Sequence, residues 1–166
     1  GSSIIVPAVS SERREYIPMG FLDERTVISN AANAIFNAEP WLFGLVQSRM
    51  HMVWVRAVAG RLKSDYRYSA VLVYNTFPVP ELDEAVRNDL TEGAFGVLEA
   101  REKFSSHTLA QLYDPDKMPP ALREAHERLD EIVDRIYRKK PFESDEERLE
   151  MLFEMYTEMT TEEDDA

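Results

Sequence analysis

Short apolar runs separated by polar turns fill the first forty positions of the chain. Four of these runs are rich in β-branched or other apolar residues: Ile4–Val9, Glu15–Met19, Thr26–Ser29 and Asn33–Asn37. Runs of this length, bounded by polar clusters, are typical of β-strands. The pattern therefore predicts a small mixed or antiparallel sheet of short, meandering strands, with a break at Pro7.

The period of the pattern changes to that of a helix at Pro40. Proline is favoured at the first helical position and glycine just past the last one, so one long helix is predicted from Trp41 to Ala59, ended by Gly60. Apolar residues recur along it every three or four positions. They are Leu42, Val46, Met50, Val53 and Ala57.

A polar segment and a second apolar run follow Gly60. Residues Arg61–Tyr68 combine cationic, anionic and aromatic side chains, and Ser69–Tyr74 is rich in residues that favour strands. Because Pro78 and Pro80 cannot donate to a sheet ladder, the apolar run is predicted to be a strand that ends before them. We expect this strand to return to the sheet.

From Glu81 onwards the apolar spacing is helical. Four helical segments are predicted, over residues 81–104 and 108–113, from Pro120 to Arg138, and after Ser144. Gly93 and Gly96 are expected to weaken the first. The third carries the clearest apolar stripe, which consists of Leu122, Ala125, Leu129, Ile132 and Ile136. Ser144 and Glu147 have the spacing of a capping box at the start of the last helix.

These elements predict an α+β fold. A small sheet with one long helix occupies residues 1–80, and an all-helical region occupies residues 81–166. Forty-four per cent of the residues are hydrophobic, which is enough for a buried core. The absence of cysteine excludes disulfides and fits a reducing, cytoplasmic location. No stretch approaches the roughly 18 uncharged apolar residues of a membrane span, and without an initiating Met we expect a fragment of a longer protein.

The charge is distributed unevenly between the two regions. A net charge of -12 argues against binding to nucleic acid, because phosphate binding rests on cationic surface. However, residues 1–80 carry 8 Lys or Arg and 6 Asp or Glu, whereas residues 81–166 carry 11 and 25, so the net charges are +2 and -14. Any DNA contact should therefore come from the first region. The acidic helical region leaves open an alternative, a protein-interaction or scaffold module without DNA binding.

Residues Arg61–Tyr68 are candidates for contact with nucleic acid. Lys and Arg can point at phosphates and guanine edges, Asp can accept a hydrogen bond from cytosine N4, and Tyr can stack on bases. A solvated loop that leads into a buried strand explains the same composition. Arg49 and Arg56, on the polar face of the long helix, and Arg61 in the loop are candidates for phosphate contact, or they lie on a solvated face.

No motif in the chain predicts catalysis. A P-loop, a dinucleotide-binding fingerprint and a nucleophile elbow are all absent from the sequence. His51 has no second ligand at metal-binding spacing, so it is predicted to be an ordinary, partly buried histidine. We therefore predict no catalytic residue, no metal site and no cofactor within this chain.

Two motifs carry a resemblance to a known family. The segments GRLKSDYRYS (residues 60–69) and VYNTFPVP (residues 73–80) are similar to the end of the target recognition domain in MmeI-type restriction–modification enzymes. The resemblance extends to Ser10–Leu22, Ala38–Arg61 and Leu112–Phe142. These enzymes are single chains that carry an adenine methyltransferase, usually together with a nuclease.

The resemblance implies a division of labour within a longer enzyme. The methyltransferase domain would lie upstream in the same polypeptide and bind S-adenosylmethionine. Residues 1–80 would be the later part of the target recognition domain, and residues 81–166 a helical C-terminal domain. The sequence agrees, because it lacks the glycine-containing loop for S-adenosylmethionine, and Pro119-Pro120 lacks the flanks of the motif that holds a flipped adenine. The partner implied for this chain is double-stranded DNA.

The resemblance also implies which residues read bases. The positions that vary with the DNA target match Lys63 and Asp65, and Arg67 matches a third contact position, paired with the loop residues Asn30 and Ala31. A lysine can donate to guanine O6 and N7 while an aspartate accepts from cytosine N4, so Lys63 and Asp65 are expected to read one base pair from both edges in the major groove.

Overall fold

The computed structural model describes residues 1–23 and 32–165. Within these residues the strands are β1 (Ser3–Pro7), β2 (Val9–Ser10), β3 (Gly20–Leu22), β4 (Ala32–Ile35), β5 (Gly60–Leu62) and β6 (Asp65–Arg67). The α-helices are α1 (Pro40–Val46), α2 (Arg49–Val58), α3 (Glu84–Glu102), α4 (Leu109–Leu112), α5 (Pro120–Tyr137) and α6 (Asp145–Asp165), and a π-helix spans Ala70–Tyr74. None of the helices in this part of the chain combines the length and the hydrophobicity that a membrane span requires.

The strands form two antiparallel sheets, which confirms the α+β class but replaces the predicted single sheet. In the first sheet β1 lies between β3 and β4, and in the second β6 lies between β2 and β5. The predicted strand Ile4–Val9 is divided between them, with β1 ending at Pro7, whose ring nitrogen cannot donate to a ladder. The predicted strand Thr26–Ser29 lies outside the described residues.

Residues Glu15–Met19 do not form the strand that their pattern predicts. The N–H of Met19 donates to Gln47 Oε1 at 2.9 Å, and the carbonyl of Ile17 accepts from Gln47 Nε2 at 2.7 Å. One buried amide side chain thus satisfies backbone groups that a strand would pair with a neighbouring ladder. Pairing with β1 begins only at Gly20.

The single helix predicted over Trp41–Ala59 is two helices, because the chain turns at Gln47 and Ser48. Ser48 has an extended backbone (φ -88°, ψ 163°), and its Oγ accepts from the N–H of His51 at 3.3 Å, so it caps the start of α2. Apolar residues continue at helical spacing across this point, and the pattern therefore conceals the break. The turn leaves the Gln47 side chain buried and free to bond residues 17–19.

The strand predicted over Ser69–Tyr74 is the π-helix. The N–H of Asn75 donates to the carbonyl of Ala70 at 2.8 Å, which is the i+5 bond of this helix type. Ser69 Oγ accepts from the N–H of Leu72 at 3.4 Å and caps the first turn. These local bonds offer the backbone an alternative to a ladder and outweigh the strand preference of the apolar run.

Helix α3 continues through Gly93 and Gly96, and the weakening expected from these two glycines stays a prediction. Gly93 allows close helix packing, since a Cβ there would lie 2.9 Å from Leu129 Cδ1 of α5, and a Cβ on Gly44 of α1 would lie 2.9 Å from the carbonyl oxygen of Leu90. Helix α3 therefore packs closely against both α1 and α5. The buried side chains of residues 1–80 and 81–166 belong to one hydrophobic core.

The buried face of α5 is rotated from the predicted stripe. Ile132 and Ile136 are only partly buried, whereas the polar residues His126 and Asp130 are buried. At the start of α6, Ser144 Oγ accepts from the N–H of Glu147 at 3.2 Å as the capping box requires. The Glu147 carboxylate, however, accepts from the N–H of Glu143 and not of Ser144.

Candidate nucleic-acid interface

The segment predicted as a polar loop is a β-hairpin made of β5 and β6. Lys63 and Ser64 form its two-residue turn, and Leu62 lies directly opposite Asp65. Lys63 has a φ of 59°, and a positive φ at the first central position is a feature of the type II′ turn that hairpins favour. The turn therefore holds Lys63 at the tip of a two-stranded ribbon.

The two faces of the hairpin differ in burial. Tyr66 and Tyr68 are 5% and 3% exposed, and the hydroxyl of Tyr68 lies 2.8 Å from His51 Nε2 of α2. Because side chains alternate along a strand, Asp65 and Arg67 point to the opposite face, away from the core. We call this opposite face the outward face; β5 contributes Leu62 and Gly60 to it, opposite Asp65 and Arg67.

Arg61 does not belong to the outward face. It lies opposite Tyr66, with its guanidinium carbon 3.9 Å from the centre of the Tyr66 ring. Its Nη1 donates to the carbonyl of Ser64 at 2.7 Å and lies 3.9 Å from a Glu12 carboxylate oxygen. Arg61 therefore braces the hairpin turn from the inner side while its side chain remains 43% exposed.

The three predicted base-reading residues that the structure describes are available to a ligand. Lys63 and Arg67 are exposed, and Asp65 is partly buried. Over residues 1–23 and 32–165, none of the three side chains has an assigned hydrogen bond or ion pair. The structure thus brings an ammonium, a carboxylate and a guanidinium together at the tip and outward face of one hairpin.

The other two predicted base-reading residues, Asn30 and Ala31, lie outside the described residues. The described chain resumes with β4, and Asn33 Nδ2 donates to the carbonyl of Tyr68 at 3.0 Å. Tyr68 directly follows Arg67, so the beginning of β4 lies beside the end of the hairpin.

Arg49 and Arg56, two of the candidates for phosphate contact, are engaged with Asp145 at the start of α6. Arg49 Nε donates to Asp145 Oδ1 at 2.8 Å, and Arg56 Nη1 lies 3.7 Å from Oδ2. Burial alone would raise the pKa of Asp145, but the hydrogen bonds and charges of Arg49 and Arg148 outweigh it and lower that pKa. Both arginines remain more than a third exposed, at 49% and 38%.

A buried arginine connects the two regions of the chain elsewhere. Arg101 of α3 donates to the carbonyl of Met19 at 2.6 Å, to Gln47 Oε1 at 3.0 Å and twice to the hydroxyl of Tyr113, at 2.7 and 3.0 Å. Because the Tyr113 oxygen accepts from Arg101, its own proton is directed at His126 Nε2, 2.5 Å away. Burial, together with the charge of Arg101, lowers the pKa of His126, which is therefore neutral.

Asp130 of α5 makes a second buried connection. It accepts from the Tyr16 hydroxyl at 2.5 Å and from the N–H of Arg49 at 2.8 Å, at the start of α2. Burial raises the pKa of Asp130 to about 7, although the bonds from Tyr16 and Arg49 act in the opposite direction. We call the polar side chains of the three clusters just described, around Asp145, Arg101 and Asp130, the seam, because each cluster joins residues 1–80 to residues 81–166. Its members are Tyr16, Gln47, Arg49, Arg56, Arg101, Tyr113, His126, Asp130 and Asp145.

The seam contains the polar residues that sequence reasoning missed. Arg101 and Asp130 lie within helices whose sequence is rich in charge, and nothing in their spacing separates them from solvated neighbours. The hairpin was detectable, since the order Asp-Tyr-Arg-Tyr over residues 65–68 alternates with the period of a strand.

The chemistry available at the hairpin is that of recognition. Burial lowers the pKa of His51 to about 3, so this histidine, fully buried and not partly buried as predicted, is neutral behind the hairpin. Among the residues that the structure describes, no cluster of three or more His, Asp or Glu side chains is placed to hold a metal ion. A two-stranded ribbon fits the width of the major groove of B-DNA, where donors, acceptors and cations can read base edges.

Comparison with known proteins identifies the class to which this arrangement belongs. Residues 1–81 match the family model described as the MmeI target recognition domain, and residues 82–162 match the model described as the MmeI C-terminal domain. The chain belongs to the MmeI family, and the two matched regions follow one another along it.

Two relatives make the family assignment more particular. The chain is 57% identical over 158 residues to DNA methyltransferase A of Bacillus subtilis (strain 168), covering 95% of this chain and 18% of that protein. It also matches the solved structure of the Type IIL restriction–modification enzyme MmeI in complex with DNA, with a TM-score of 0.91 and 46% identity, covering 96% of this chain and 21% of that one. The chain thus spans about a fifth of the length of each relative.

Proposed function

We propose that this chain recognises a specific sequence in double-stranded DNA through the tip and outward face of the β5–β6 hairpin. The observation that carries the proposal is the division of the hairpin into two faces. Tyr66 and Tyr68 are held in the core, while Lys63, Asp65 and Arg67 are left without intramolecular partners among the described residues. Side chains fixed at the backbone but free at their ends suit direct readout of base edges.

The three side chains have complementary chemistry for a guanine–cytosine pair. Lys63 would donate to guanine O6 and N7, and Asp65 would accept from cytosine N4 of the same pair. Arg67 lies two residues beyond Asp65 on the same face, so it would reach a neighbouring pair, together with Asn30 and Ala31. The hydrogen bond from Asn33 Nδ2 near the start of β4 to the carbonyl of Tyr68, the residue after Arg67, supports this pairing.

Phosphate contacts would fix the hairpin on the duplex. Arg61 keeps part of its guanidinium exposed beside the hairpin, and Arg49 and Arg56 are exposed on α2. For the last two, a phosphate would have to replace Asp145 as the anionic partner. Such contacts add affinity that does not depend on sequence and that falls as salt concentration rises.

The complete enzyme would be a site-specific DNA adenine methyltransferase of the restriction–modification type, located in the cytoplasm. A methyltransferase domain elsewhere in the same polypeptide would flip the adenine and take its methyl group from S-adenosylmethionine. Residues 1–80 would act as part of the target recognition domain, and residues 81–166 would form a C-terminal domain that braces it through the seam. The role of this chain is therefore to decide which adenine is presented.

A charge exchange in the full-length enzyme tests the proposal. The double variant Lys63→Glu, Asp65→Arg reverses donor and acceptor, so the preferred base pair should change from one orientation of G·C to the other. The readout is the set of methylated sites, mapped across a genome. Each wrong pair should cost on the order of 1–3 kcal/mol.

A matched control variant distinguishes a loss of base recognition from a general effect of the two changed charges. Lys103→Glu combined with Asp89→Arg makes the same change at an exposed position of α3 and at the exposed residue that follows this helix, and it should leave the methylated sites unchanged. Retention of the original specificity by the Lys63 and Asp65 double variant, in an enzyme that still methylates DNA, would contradict the assignment.

A further inference from the structure

The outward face of the hairpin contains a large apolar side chain. Leu62 is 53% exposed and lies directly opposite Asp65 in the β5–β6 register. Its neighbour Arg61 points to the inner face, so Leu62 shares the outward face with Asp65 and Arg67. On that face β5 also contributes Gly60, and a Cβ built there would meet nothing within 4 Å. Leu62 is therefore flanked by open space and not by the core.

The β5–β6 pairing register determines which DNA group Leu62 would contact. Directly opposite residues of an antiparallel pair have Cβ atoms about 5 Å apart, and successive bases of one strand are stacked about 3.4 Å apart. When Asp65 accepts from a cytosine N4, Leu62 is accordingly displaced by about one base step. In the major groove the apolar group that a base presents is the C5-methyl of thymine.

We propose that Leu62 is a specificity-determining residue that contacts the C5-methyl group of a thymine next to the base pair read by Lys63 and Asp65. This inference rests on the proposed function and extends it from charged to apolar readout. A leucine can exclude water from a methyl group but cannot donate to or accept from a cytosine edge, so it favours thymine over cytosine at that position.

The chain contains a second leucine with nearly the same exposure, which serves as a control for a general effect of exposed hydrophobic side chains. Leu72, on the π-helix, is 54% exposed and lies outside the hairpin. Single exposed leucines are common on protein surfaces, so an effect shared by both positions would indicate nonspecific hydrophobicity. Both Leu62→Ala and Leu72→Ala remove exposed side chains and should leave the folded structure intact.

The experiment removes single methyl groups from DNA. Binding of the full-length enzyme is measured on duplexes that carry its own recognised site, with each thymine replaced in turn by deoxyuridine, which lacks only the C5-methyl group. At one thymine beside the pair altered by the Lys63 and Asp65 exchange, the wild type should bind deoxyuridine about fourfold more weakly. Leu62→Ala should bind both forms equally there, and Leu72→Ala should behave as the wild type does.

Two outcomes would overturn the inference. One is a thymine-to-deoxyuridine ratio that Leu62→Ala leaves unchanged at every position. The other is a recognised site with no thymine next to the pair that the charge exchange alters. Failure of the proposed function is distinguishable, because in that case the charge exchange itself would leave the specificity unaltered.

Discussion

The hairpin and the seam are both rich in charged and hydrogen-bonding side chains, but they differ in whether those side chains are already paired. At the seam, Arg101 bonds Met19, Gln47 and Tyr113, and Asp130 accepts from two donors. On the hairpin, Lys63, Asp65 and Arg67 have no assigned partner among the described residues. The contrast teaches that the availability of the side chains, and not their charge, separates the proposed recognition surface from a structural one.

The largest effect should come from breaking the seam at Arg101. Arg101→Met removes a buried donor and leaves the carbonyl of Met19 and the side chain of Gln47 with fewer donors. Because each buried polar group left unsatisfied costs about 1–3 kcal/mol, we expect a loss of about 3–5 kcal/mol in the free energy of unfolding. Denaturant titration of the 166-residue chain measures it. The exposed counterpart, Arg67→Met, should change stability by less than about 0.5 kcal/mol. Equal losses of stability in the two variants would contradict the claim that the seam is structural and the outward face of the hairpin is not.

The pH dependence of the seam gives the next largest effect. Because the folded-state pKa of Asp130 is about 7 and its ordinary value is 3.8, the folded chain binds more protons between these values. The contribution of Asp130 to the free energy of unfolding is therefore complete below pH 3.8 and is lost as the pH rises through 7. The stability lost in Asp130→Asn should therefore shrink from pH 4 to pH 7, by on the order of 2–4 kcal/mol.

Measuring the stability of the wild type and of Asp130→Asn from pH 4 to pH 7 tests whether Asp130 is protonated in the folded chain. The buried histidines are common to the wild type and the variant, so their contributions cancel in the difference between the two curves. A difference that is constant from pH 4 to pH 7, or that grows, would show that Asp130 is ionised in the folded chain throughout.

Two arginines of the seam, Arg49 and Arg56, allow the comparison to be sharpened because they are also candidates for phosphate contact. If Arg49 and Arg56 exchange Asp145 for phosphate, Asp145→Ala should release them and strengthen binding of the full-length enzyme to all duplexes, by about twofold to fivefold at low salt. Arg49→Ala should weaken binding to all sequences and reduce the salt slope by about one. An unchanged salt slope in both variants would assign the two arginines to the seam alone.

The smallest effect concerns the inner side of the hairpin. Arg61 stacks on Tyr66 and bonds the Ser64 carbonyl, so Arg61→Ala should cost about 0.5–1 kcal/mol of stability. Arg61→Lys keeps the charge but loses the planar stack, and it should cost nearly as much while preserving salt-dependent DNA binding. Loss of DNA binding in the lysine variant would mean that Arg61 supports DNA binding by maintaining the shape of the hairpin and not by contacting a phosphate.

Periodicity predicted most helices and the α+β class, and it failed where single side chains direct the backbone. Ser48 divides one helix into two while the apolar spacing continues, and Gln47 takes the bonds of a predicted strand. Ser69 similarly caps a π-helix within an apolar run. These are tertiary or capping bonds, which an apolar pattern does not encode.

The sequence proposed residues for the candidate site, and these stay a prediction, but it did not identify the residues that support the site. Lys63, Asp65 and Arg67 were identified by a resemblance of the surrounding motif, and local alternation alone would have placed Asp65 and Arg67 on one face. The buried roles of Asp130 and Arg101 were not predicted, because a charged residue on a helix is expected to be solvated unless the partner that buries it is known. Their partners, Tyr16 and Met19, lie more than 80 positions away in sequence.

The central claim is that the hairpin tip, and not the helical region, touches bases, and site-specific photocross-linking tests it most directly. A photoreactive residue would replace Ser64 at the tip or Ser106, an exposed serine in the helical region, in the full-length enzyme bound to its own site. We expect position 64 to cross-link to bases of the recognised sequence and position 106 not to do so. Cross-links from position 106 to those bases, with none from position 64, would contradict the claim.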